Sequence, residues 1–200
     1  MIASASDDKT IRIWRVDNGE CMRTLTGHTG FVWGVCMLES GLIASASWDQ
    51  TIRIWRVDSG ECVRTLMGHT DAVSSVCMLG ESSGLVASAS FDKTIRIWRV
   101  DSGMCVRTLT GHTEGVLSVC MLESGLIASA SFDETIRIWN ISTLSDSSNS
   151  IVEPNRAGGG AAAAAGAASA SPKSTIVNLR KRKSRRRSRR KNRRTKRRSY

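Results

Sequence analysis

The stretch SASWDQTIRIW, residues 45–55, recurs almost unchanged at three other places in the chain. Its copies occupy residues 4–14, 88–98 and 129–139, so the tryptophans that end successive copies are 41, 43 and 41 residues apart. The motif Gly-His-Thr begins at Gly27, Gly68 and Gly111, ahead of three of the four copies. Self-similarity at a period of about 40 residues indicates a repeat architecture in which each repeat is one supersecondary unit.

Each repeat is divided into short runs that are typical of β-strands. Residues 42–47, 51–55, 62–66 and 73–78 are such runs, and most are rich in Val, Ile, Leu or Thr. Turn-forming clusters such as residues 58–60 separate them, and no segment has a sustained helical period. Four short antiparallel strands per repeat of this length are the pattern of a β-propeller blade. We therefore expect an all-β fold of β-propeller blades with four antiparallel strands each.

These motifs resemble those of the WD (tryptophan–aspartate) repeat family. Gly-His, Ser-x-x-x-Asp and Ile-Arg-Ile-Trp carry the resemblance, at the spacing of the family, over residues 2–140. The aspartate that names the family is replaced after each tryptophan by Arg15, Arg56, Arg99 and Asn140. The resemblance implies a non-catalytic scaffold that binds other proteins through one face of the propeller.

The resemblance also implies a buried hydrogen-bonded tetrad, in which Trp donates to Ser, Ser to His and His to Asp. Donors and acceptors match one to one, as a buried polar network requires. A Ser-His-Asp catalytic triad is the alternative, but three copies suit a structural unit better, and no oxyanion hole accompanies them. We therefore predict no catalytic residues. The predicted structural tetrads are His28, Ser45, Asp49 and Trp55; His69, Ser88, Asp92 and Trp98; and His112, Ser129, Asp133 and Trp139.

The cysteines give no indication of disulfides or of a metal site. The six fall at two repeat positions copied three times, so their even number reflects duplication: Cys21, Cys62 and Cys105, and Cys36, Cys77 and Cys120. No C-x-x-C motif is present, and the tetrads account for the histidines. We predict a reduced intracellular protein with no metal and no cofactor. No apolar run is long enough for a transmembrane helix, and the N-terminus does not resemble a signal peptide.

The repeats differ from one another mainly just after Gly-His-Thr and around the tetrad aspartate. In the propeller that the resemblance implies, both places lie at one end of the blades, on the narrower face. Large aromatics beside charged residues resemble the centre and rim of a protein interface, although such aromatics can also fill gaps between blades. The predicted partner-binding face consists of Phe31, Trp33, Trp48, Gln50, Asp71, Phe91, Lys93, Glu114, Leu117, Phe132 and Glu134.

The repeats predict an incomplete ring of about three and a half WD repeats. The chain starts inside the second strand of a blade, and the last strand loses its pattern after Trp139, with residues 150–153 at best a degraded substitute. This gives 14 strands, with full blades at residues 31–66 and 72–109 and two blades that each lack a strand. Open edges are then expected at residues 2–6 and 135–140. Self-association into a larger ring, closure as a four-bladed ring, and a fragment of a longer protein remain as explanations.

Charge divides the chain into an acidic body and a basic tail. Residues 1–149 carry 12 Lys and Arg against 17 Asp and Glu, whereas residues 150–200 carry 17 against one. We predict propeller blades in residues 1–149, a flexible Gly/Ala/Ser-rich linker in residues 150–179, and a disordered basic tail in residues 180–200. In the tail, 15 of the 19 residues from 180 to 198 are Lys or Arg, and the first are Arg180, Lys181, Arg182, Lys183, Arg185, Arg186 and Arg187.

The tail offers nonspecific contacts to the phosphates of nucleic acids and is typical of a nuclear import signal. The function that the sequence favours is an intracellular WD-repeat scaffold, nuclear through its tail and otherwise cytoplasmic, which binds proteins and no membrane. The alternative is a nucleic-acid-associated nuclear factor whose tail binds RNA or DNA while the repeats recruit partners.

Overall fold

The computed structural model describes residues 1–81, 83–123, 125–142 and 174–176. Within these ranges, fifteen β-strands form four antiparallel sheets that follow one another along the chain. No helix in the same ranges has the length and apolar character needed to cross a membrane. The prediction of an all-β fold built from antiparallel blades is confirmed.

Each sheet corresponds to one repeat and is called a blade. The first blade contains β1 (Ile2–Ala5), β2 (Ile11–Trp14) and β3 (Cys21–Leu25). The second contains β4 (Val32–Met37), β5 (Leu42–Ser47), β6 (Ile52–Arg56) and β7 (Cys62–Leu66). The third contains β8 (Val73–Met78), β9 (Leu85–Ser90), β10 (Ile95–Arg99) and β11 (Cys105–Leu109). The fourth contains β12 (Val116–Glu123), β13 (Leu126–Ser131), β14 (Ile136–Asn140) and β15 (Ser174–Ile176).

The fourth strand of the last blade comes from a segment that the sequence analysis assigned to the linker. β15 pairs antiparallel with β14, and Arg137 lies opposite Ile176 while Trp139 lies opposite Ser174. The prediction that this blade lacks a strand, with an open edge at residues 135–140, is therefore wrong. The sequence does not predict this strand, because its three residues carry no repeat motif. The rest of the predicted linker, including residues 150–153, lies outside the described residues, and so does the basic tail.

In every blade a strained turn joins the two strands equivalent to β5 and β6, which are β1 and β2 in the first blade. In the second blade Gln50 N donates to Ser47 O over 3.2 Å, and Gln50 has a left-handed φ of 69°. Lys9, Lys93 and Glu134 occupy the same position with φ between 63° and 71°. A left-handed backbone costs a residue other than glycine about 1 kcal/mol or more. Bonds from the main chain and hydroxyl of Thr51 to Asp49 Oδ1, at 3.1 and 2.6 Å, offset that cost.

The hydrophobic core lies between neighbouring blades. At the first interface six side chains are at most 2 % exposed: Ile11, Ile13 and Leu25 pack against Val32, Ile43 and Trp55. The next interfaces repeat this arrangement, first with Ile52, Ile54 and Leu66 against Val73, Val86 and Trp98, then with Ile95, Ile97 and Leu109 against Val116, Ile127 and Trp139. Each large aliphatic side chain buried in this way contributes about 1.5–3 kcal/mol. A blade is therefore stabilised mainly by its neighbours.

Arginines on the outermost strands tie successive blades together. Arg23 Nη1 donates to Ser59 O over 3.1 Å, and Arg64 Nη1 donates to Ser102 O over 3.2 Å. A Cβ atom at Gly60 would lie 2.8 Å from Arg23 Cδ, and the φ of Gly60 is +77°. Glycine is thus required in this turn both for its backbone conformation and for the close approach of the arginine.

Candidate functional site

The second, third and fourth blades each contain one buried tetrad, which connects the loop before the blade to the turn that carries the aspartate. In the second blade Trp55 Nε1 donates to Ser45 Oγ over 2.8 Å. Ser45 Oγ lies 2.7 Å from His28 Nε2, and His28 Nδ1 lies 2.7 Å from Asp49 Oδ2. The other two blades repeat these contacts at 2.6–2.8 Å, with His69, Ser88, Asp92 and Trp98, and with His112, Ser129, Asp133 and Trp139. The structure brings the members of each predicted tetrad together.

The direction of donation follows from the chemistry of the groups. An indole N–H can only donate, so Ser45 Oγ accepts from Trp55 and its own hydrogen is available for His28 Nε2. An ionised carboxylate can only accept, so the proton of His28 is assigned to Nδ1, facing Asp49. Asp49 Oδ2 also accepts from Thr29 N over 3.0 Å. The network therefore runs from the core tryptophan to the turn that follows β5.

Burial keeps the tetrad hydroxyls away from any substrate. Ser45, Ser88 and Ser129 are at most 2 % exposed, and each oxygen is engaged by both a tryptophan and a histidine. A nucleophilic serine has to reach its substrate from an exposed position. The arrangement suits the positioning of loops and does not suit nucleophilic attack.

Hydrogen bonds keep the tetrad carboxylates ionised although they are largely buried. Burial alone would raise the pKa of Asp49, but donation from Thr51 and His28 lowers that pKa to about 2. Burial likewise opposes a lowered pKa at Asp92 and Asp133, where hydrogen bonds from the tetrad histidine and from the following threonine prevail. Burial lowers the pKa of His28, and Asp49 offsets only part of this effect. At neutral pH the second blade therefore contains an ionised carboxylate beside a neutral imidazole.

The turns that the tetrads position carry Trp48, Phe91 and Phe132, and together with Phe31 and Trp33 at the start of β4 these side chains form a continuous aromatic surface over three blades. We call Phe31, Trp33, Trp48, Phe91 and Phe132 the aromatic face. Ring centroids of Trp33 and Trp48 are 4.9 Å apart, those of Trp33 and Phe91 are 5.5 Å apart, and those of Phe91 and Phe132 are 5.7 Å apart. The ring of Phe31 lies 6.2 Å from that of Trp48. Exposure is 43 % for Phe31, 36 % for Trp33, 50 % for Trp48 and 60 % for Phe132.

Phe91 also fills space between blades. It is only partly exposed, and a Cβ atom at Gly115 would lie 3.2 Å from its ring. The gap-filling alternative therefore describes part of its role, while its contact with Trp33 keeps it in the aromatic face. Gly30 permits a similar close approach, because a Cβ atom there would lie 2.7 Å from Asp49 N.

The other residues of the predicted partner-binding face lie in the same loops, except Leu117, which lies on β12. Gln50, Lys93 and Glu134 are exposed at the left-handed position two residues after Trp48, Phe91 and Phe132 respectively. Lys93 Nζ lies 3.6 Å from Glu114 Oε2, between the third and fourth blades. Asp71 is exposed and accepts from Ala72 N over 2.7 Å. Leu117, at the position of Trp33 in the fourth blade, is 38 % exposed.

A groove that sequence reasoning did not find lies at the opposite end of the blades. Its volume is about 330 Å³, and apolar side chains of the second and third blades line much of it: Leu38, Leu42, Val63, Met78, Leu85 and Val100. Leu42 begins β5, Met78 ends β8 and Leu85 begins β9, while Leu38 directly follows β4. The only sequence signal near it is the two-residue insertion in the third repeat, at residues 79–85.

The cysteines on the first strands of the second and third blades, Cys36 on β4 and Cys77 on β8, are unreactive thiols. Burial raises the pKa of Cys36 to about 11 and that of Cys77 to about 12. Since the thiolate is the nucleophile and the metal ligand, both residues behave as small apolar side chains at neutral pH. In the described part of the chain, no group of three His, Cys, Asp or Glu residues is arranged to hold a metal ion.

Comparison with protein families gives matches that follow the blades. The model described as "WD domain, G-beta repeat" matches residues 1–15, 19–56, 60–99 and 103–140. Each match ends at the residue after the strand tryptophan, and together the matches cover more than half of the chain.

Curated relatives are similar over about one repeat. F-box/WD repeat-containing protein 7 of Drosophila melanogaster is 59 % identical over 32 residues, which are 16 % of this chain and 2 % of the relative. F-box/WD repeat-containing protein sel-10 of Caenorhabditis elegans is 52 % identical over 33 residues, 16 % of this chain and 6 % of the relative. Nuclear distribution protein PAC1 of Mycosarcoma maydis is 48 % identical over 40 residues, 20 % of this chain and 9 % of the relative. The chain thus spans less than a tenth of the length of these relatives.

We expect the Ser88→Ala variant to lower the free energy of unfolding by about 1–3 kcal/mol, because buried Trp98 and His69 both lose their partner. Ser4→Ala is the matched control, since Ser4 is partly buried and bonds to Trp14 in a blade without the histidine. It should cost less. Urea unfolding followed by circular dichroism measures both losses, and equal losses would show that the histidine link adds no stability.

We expect stability to fall in two steps as the pH is lowered. Because the folded chain lowers the pKa of His28, the unfolded chain takes up the proton more readily as the pH falls below the ordinary value of 6.5. His28 therefore lowers the free energy of unfolding in that range. A carboxylate with a lowered pKa contributes fully above 3.8, and Asp49 loses that contribution as the pH falls toward about 2. Melting temperatures measured across this range should decline on acidification, with a shallower decline below pH 3.8 for Asp49→Asn. An unchanged melting temperature down to pH 2 would contradict the assignment.

Proposed function

The chain belongs to the WD-repeat family, whose members generally serve as protein-interaction scaffolds, and on that premise we propose that it binds a partner protein through the aromatic face. In this proposal the blades are a non-catalytic support. The tetrads hold the turns, and the side chains of the aromatic face recognise the partner.

The observation that carries the proposal is the run of ring contacts from Phe31 through Trp48, Trp33 and Phe91 to Phe132. Four of these five side chains remain exposed, so much of their apolar surface is still in contact with water. A large aromatic side chain buries about 150–250 Å² when it is covered, and tryptophan is enriched among residues that dominate binding energy. Contiguous exposed apolar patches on soluble proteins mark binding surfaces.

The charges near the aromatic face indicate the chemistry of the partner. Glu114 pairs with Lys93, which leaves Asp71 and Glu134 as exposed acidic groups on the same set of loops. Complementary charge raises the rate of association and selects among partners. We therefore propose a partner that presents apolar side chains flanked by Lys or Arg.

We expect the double variant Trp33→Ala with Trp48→Ala to lose a partner that the wild-type chain captures in pull-down experiments. The circular dichroism spectrum should not change, because both side chains are partly exposed and neither belongs to the core between blades. A matched control is Met104→Ala with Val106→Ala, which removes exposed apolar side chains from the outer part of the third blade. Binding that survives in the tryptophan variant, or is lost equally in the control, would contradict the proposal.

We also propose that residues 180–200 direct the protein to the nucleus. The proposal rests on the density of Lys and Arg there, since 15 of 19 residues in 180–198 are basic while residues 1–149 are net acidic. A basic cluster of this kind is read by import receptors, and it also contacts phosphates without sequence preference. A nucleic-acid-associated factor is therefore the second candidate function, favoured by the same charge.

We expect a reporter fused to residues 180–200 to concentrate in the nucleus, and the same fusion with Arg185, Arg186 and Arg187 replaced by Ala to do so less. An even distribution of the unmodified fusion would contradict nuclear import. Deleting residues 180–200 from the full chain, while retaining β15 and adding an unrelated import signal, separates the two candidates. If the protein is a scaffold, the truncated chain should keep its partner and its function. If it is a nucleic-acid-associated factor, the truncated chain should lose both its association with RNA or DNA and its function.

A further inference from the structure

The two ends of the blade array expose side chains that are buried everywhere else in the repeat. On the fourth blade Ile136 is 43 % exposed, whereas the equivalent Ile11, Ile52 and Ile95 are 0 % exposed. Ile138, which follows it on β14, is partly exposed. We call Ile136 and Ile138 the C-terminal end face.

The first blade exposes the opposite half of the same interface. Ile2 is 58 % exposed, whereas the equivalent Ile43, Val86 and Ile127 are 0 % exposed. Val16 is 70 % exposed, while its equivalents Val57 and Val100 pack against the core and Ile141 is buried. Trp14 is only partly buried, unlike the tryptophans of the other blades. We call Ile2, Trp14 and Val16 the N-terminal end face.

The three interfaces within the chain show how such faces fit together. In each of them, the Ile-x-Ile pair of one blade packs against the tryptophan of the next blade and an aliphatic residue on its second strand. The C-terminal end face presents that Ile-x-Ile pair, and the N-terminal end face presents the tryptophan and the aliphatic residue. The two end faces are therefore complementary in these residues. Among the described residues, the first blade has no strand equivalent to β4, β8 and β12, which supply Val32, Val73 and Val116 to the internal interfaces.

A second observation points to a neighbouring blade on the N-terminal end face. Gly60 and Gly103 each lie against an arginine of the preceding blade, and a Cβ atom there would be 2.8 Å from the arginine Cδ. Gly19 occupies the equivalent turn of the first blade with a φ of +72°, and no atom lies within 4 Å of its Cβ position. The first blade thus keeps the turn that elsewhere receives a preceding blade.

We propose that the C-terminal end face of one copy of this chain docks on the N-terminal end face of a second copy, in both directions, to close a ring of eight blades. Closed propellers typically contain 4–8 blades, and two four-blade arrays reach the upper limit. The contact joins different surfaces of the two copies, and closure into a ring requires such a head-to-tail contact. None of the end-face residues belongs to the aromatic face, so this proposal can be tested independently of partner binding at the aromatic face.

Light scattering coupled to size-exclusion chromatography tests the proposal on the full chain, under reducing conditions, at high salt and after nuclease treatment. The wild-type chain should have twice the 21.7 kDa mass of one copy. Ile136→Glu should give a monomer with an unchanged circular dichroism spectrum, because Ile136 is exposed within a single chain. Met104→Glu is the control, since it places the same charge at a site that is 66 % exposed and away from both end faces, and it should remain a dimer.

Mixing two variants tests the head-to-tail geometry. Ile2→Lys should also be monomeric alone, but mixed with Ile136→Glu it should restore a dimer, with one unaltered contact and one that pairs Lys with Glu. A monomeric wild-type chain, a species larger than two copies, an Ile136→Glu or Ile2→Lys variant that still dimerises, or a mixture that stays monomeric would each overturn the proposal. Ile136→Glu should still bind the partner of the aromatic face, so a failure of either proposal can be assigned.

Discussion

The packing of one blade against the next is the constraint on which the rest of the molecule depends. An isolated blade has no core of its own, because Ile52 and Ile54 are buried by side chains of the following blade. The tryptophan that receives such a pair also donates its indole N–H to the tetrad, as Trp98 does to Ser88. Apolar packing and the polar network therefore share a residue. Through it, the core between blades fixes the position of the loops that carry the aromatic face.

The first blade has the turn but no tetrad histidine, so it shows which contacts the turn needs without the tetrad. Asp8 accepts from the main chain and hydroxyl of Thr10 at 2.9 and 2.6 Å, and these bonds lower its pKa without a tetrad histidine. Lys9 has the same left-handed φ as Gln50. The turn thus forms without the histidine. What the histidine adds in the other blades is a connection between that turn and the loop before the blade, where Thr29 N also meets Asp49.

The sequence was informative wherever a repeated motif coincided with a local physical requirement. The strands, the blade boundaries and the partners within each tetrad could be predicted, because residues such as Ser45 and Trp55 recur at a fixed spacing. β15 could not, since a three-residue strand without a motif is specified by pairing with β14 and not by its own pattern. The contacts of Phe91 with Trp33 and Phe132 could not be predicted either, because they depend on distances between blades. The apolar groove was missed for the same reason.

Repeat arrays usually end in blades or repeats whose outer side has become polar, since an apolar interface left uncovered is costly in water. The first and fourth blades keep the apolar interface residues of the internal copies. Residues 136–139 have the same Ile-Arg-Ile-Trp sequence as the internal copies, and Gly19 retains a conformation that serves an arginine of a preceding blade elsewhere. The substitutions that distinguish the copies fall instead on the turn tips, at positions such as Trp48 and Phe132. Variation at the tips together with unchanged interfaces thus divides the repeat into positions that pack one blade against the next and positions that are free to differ between copies.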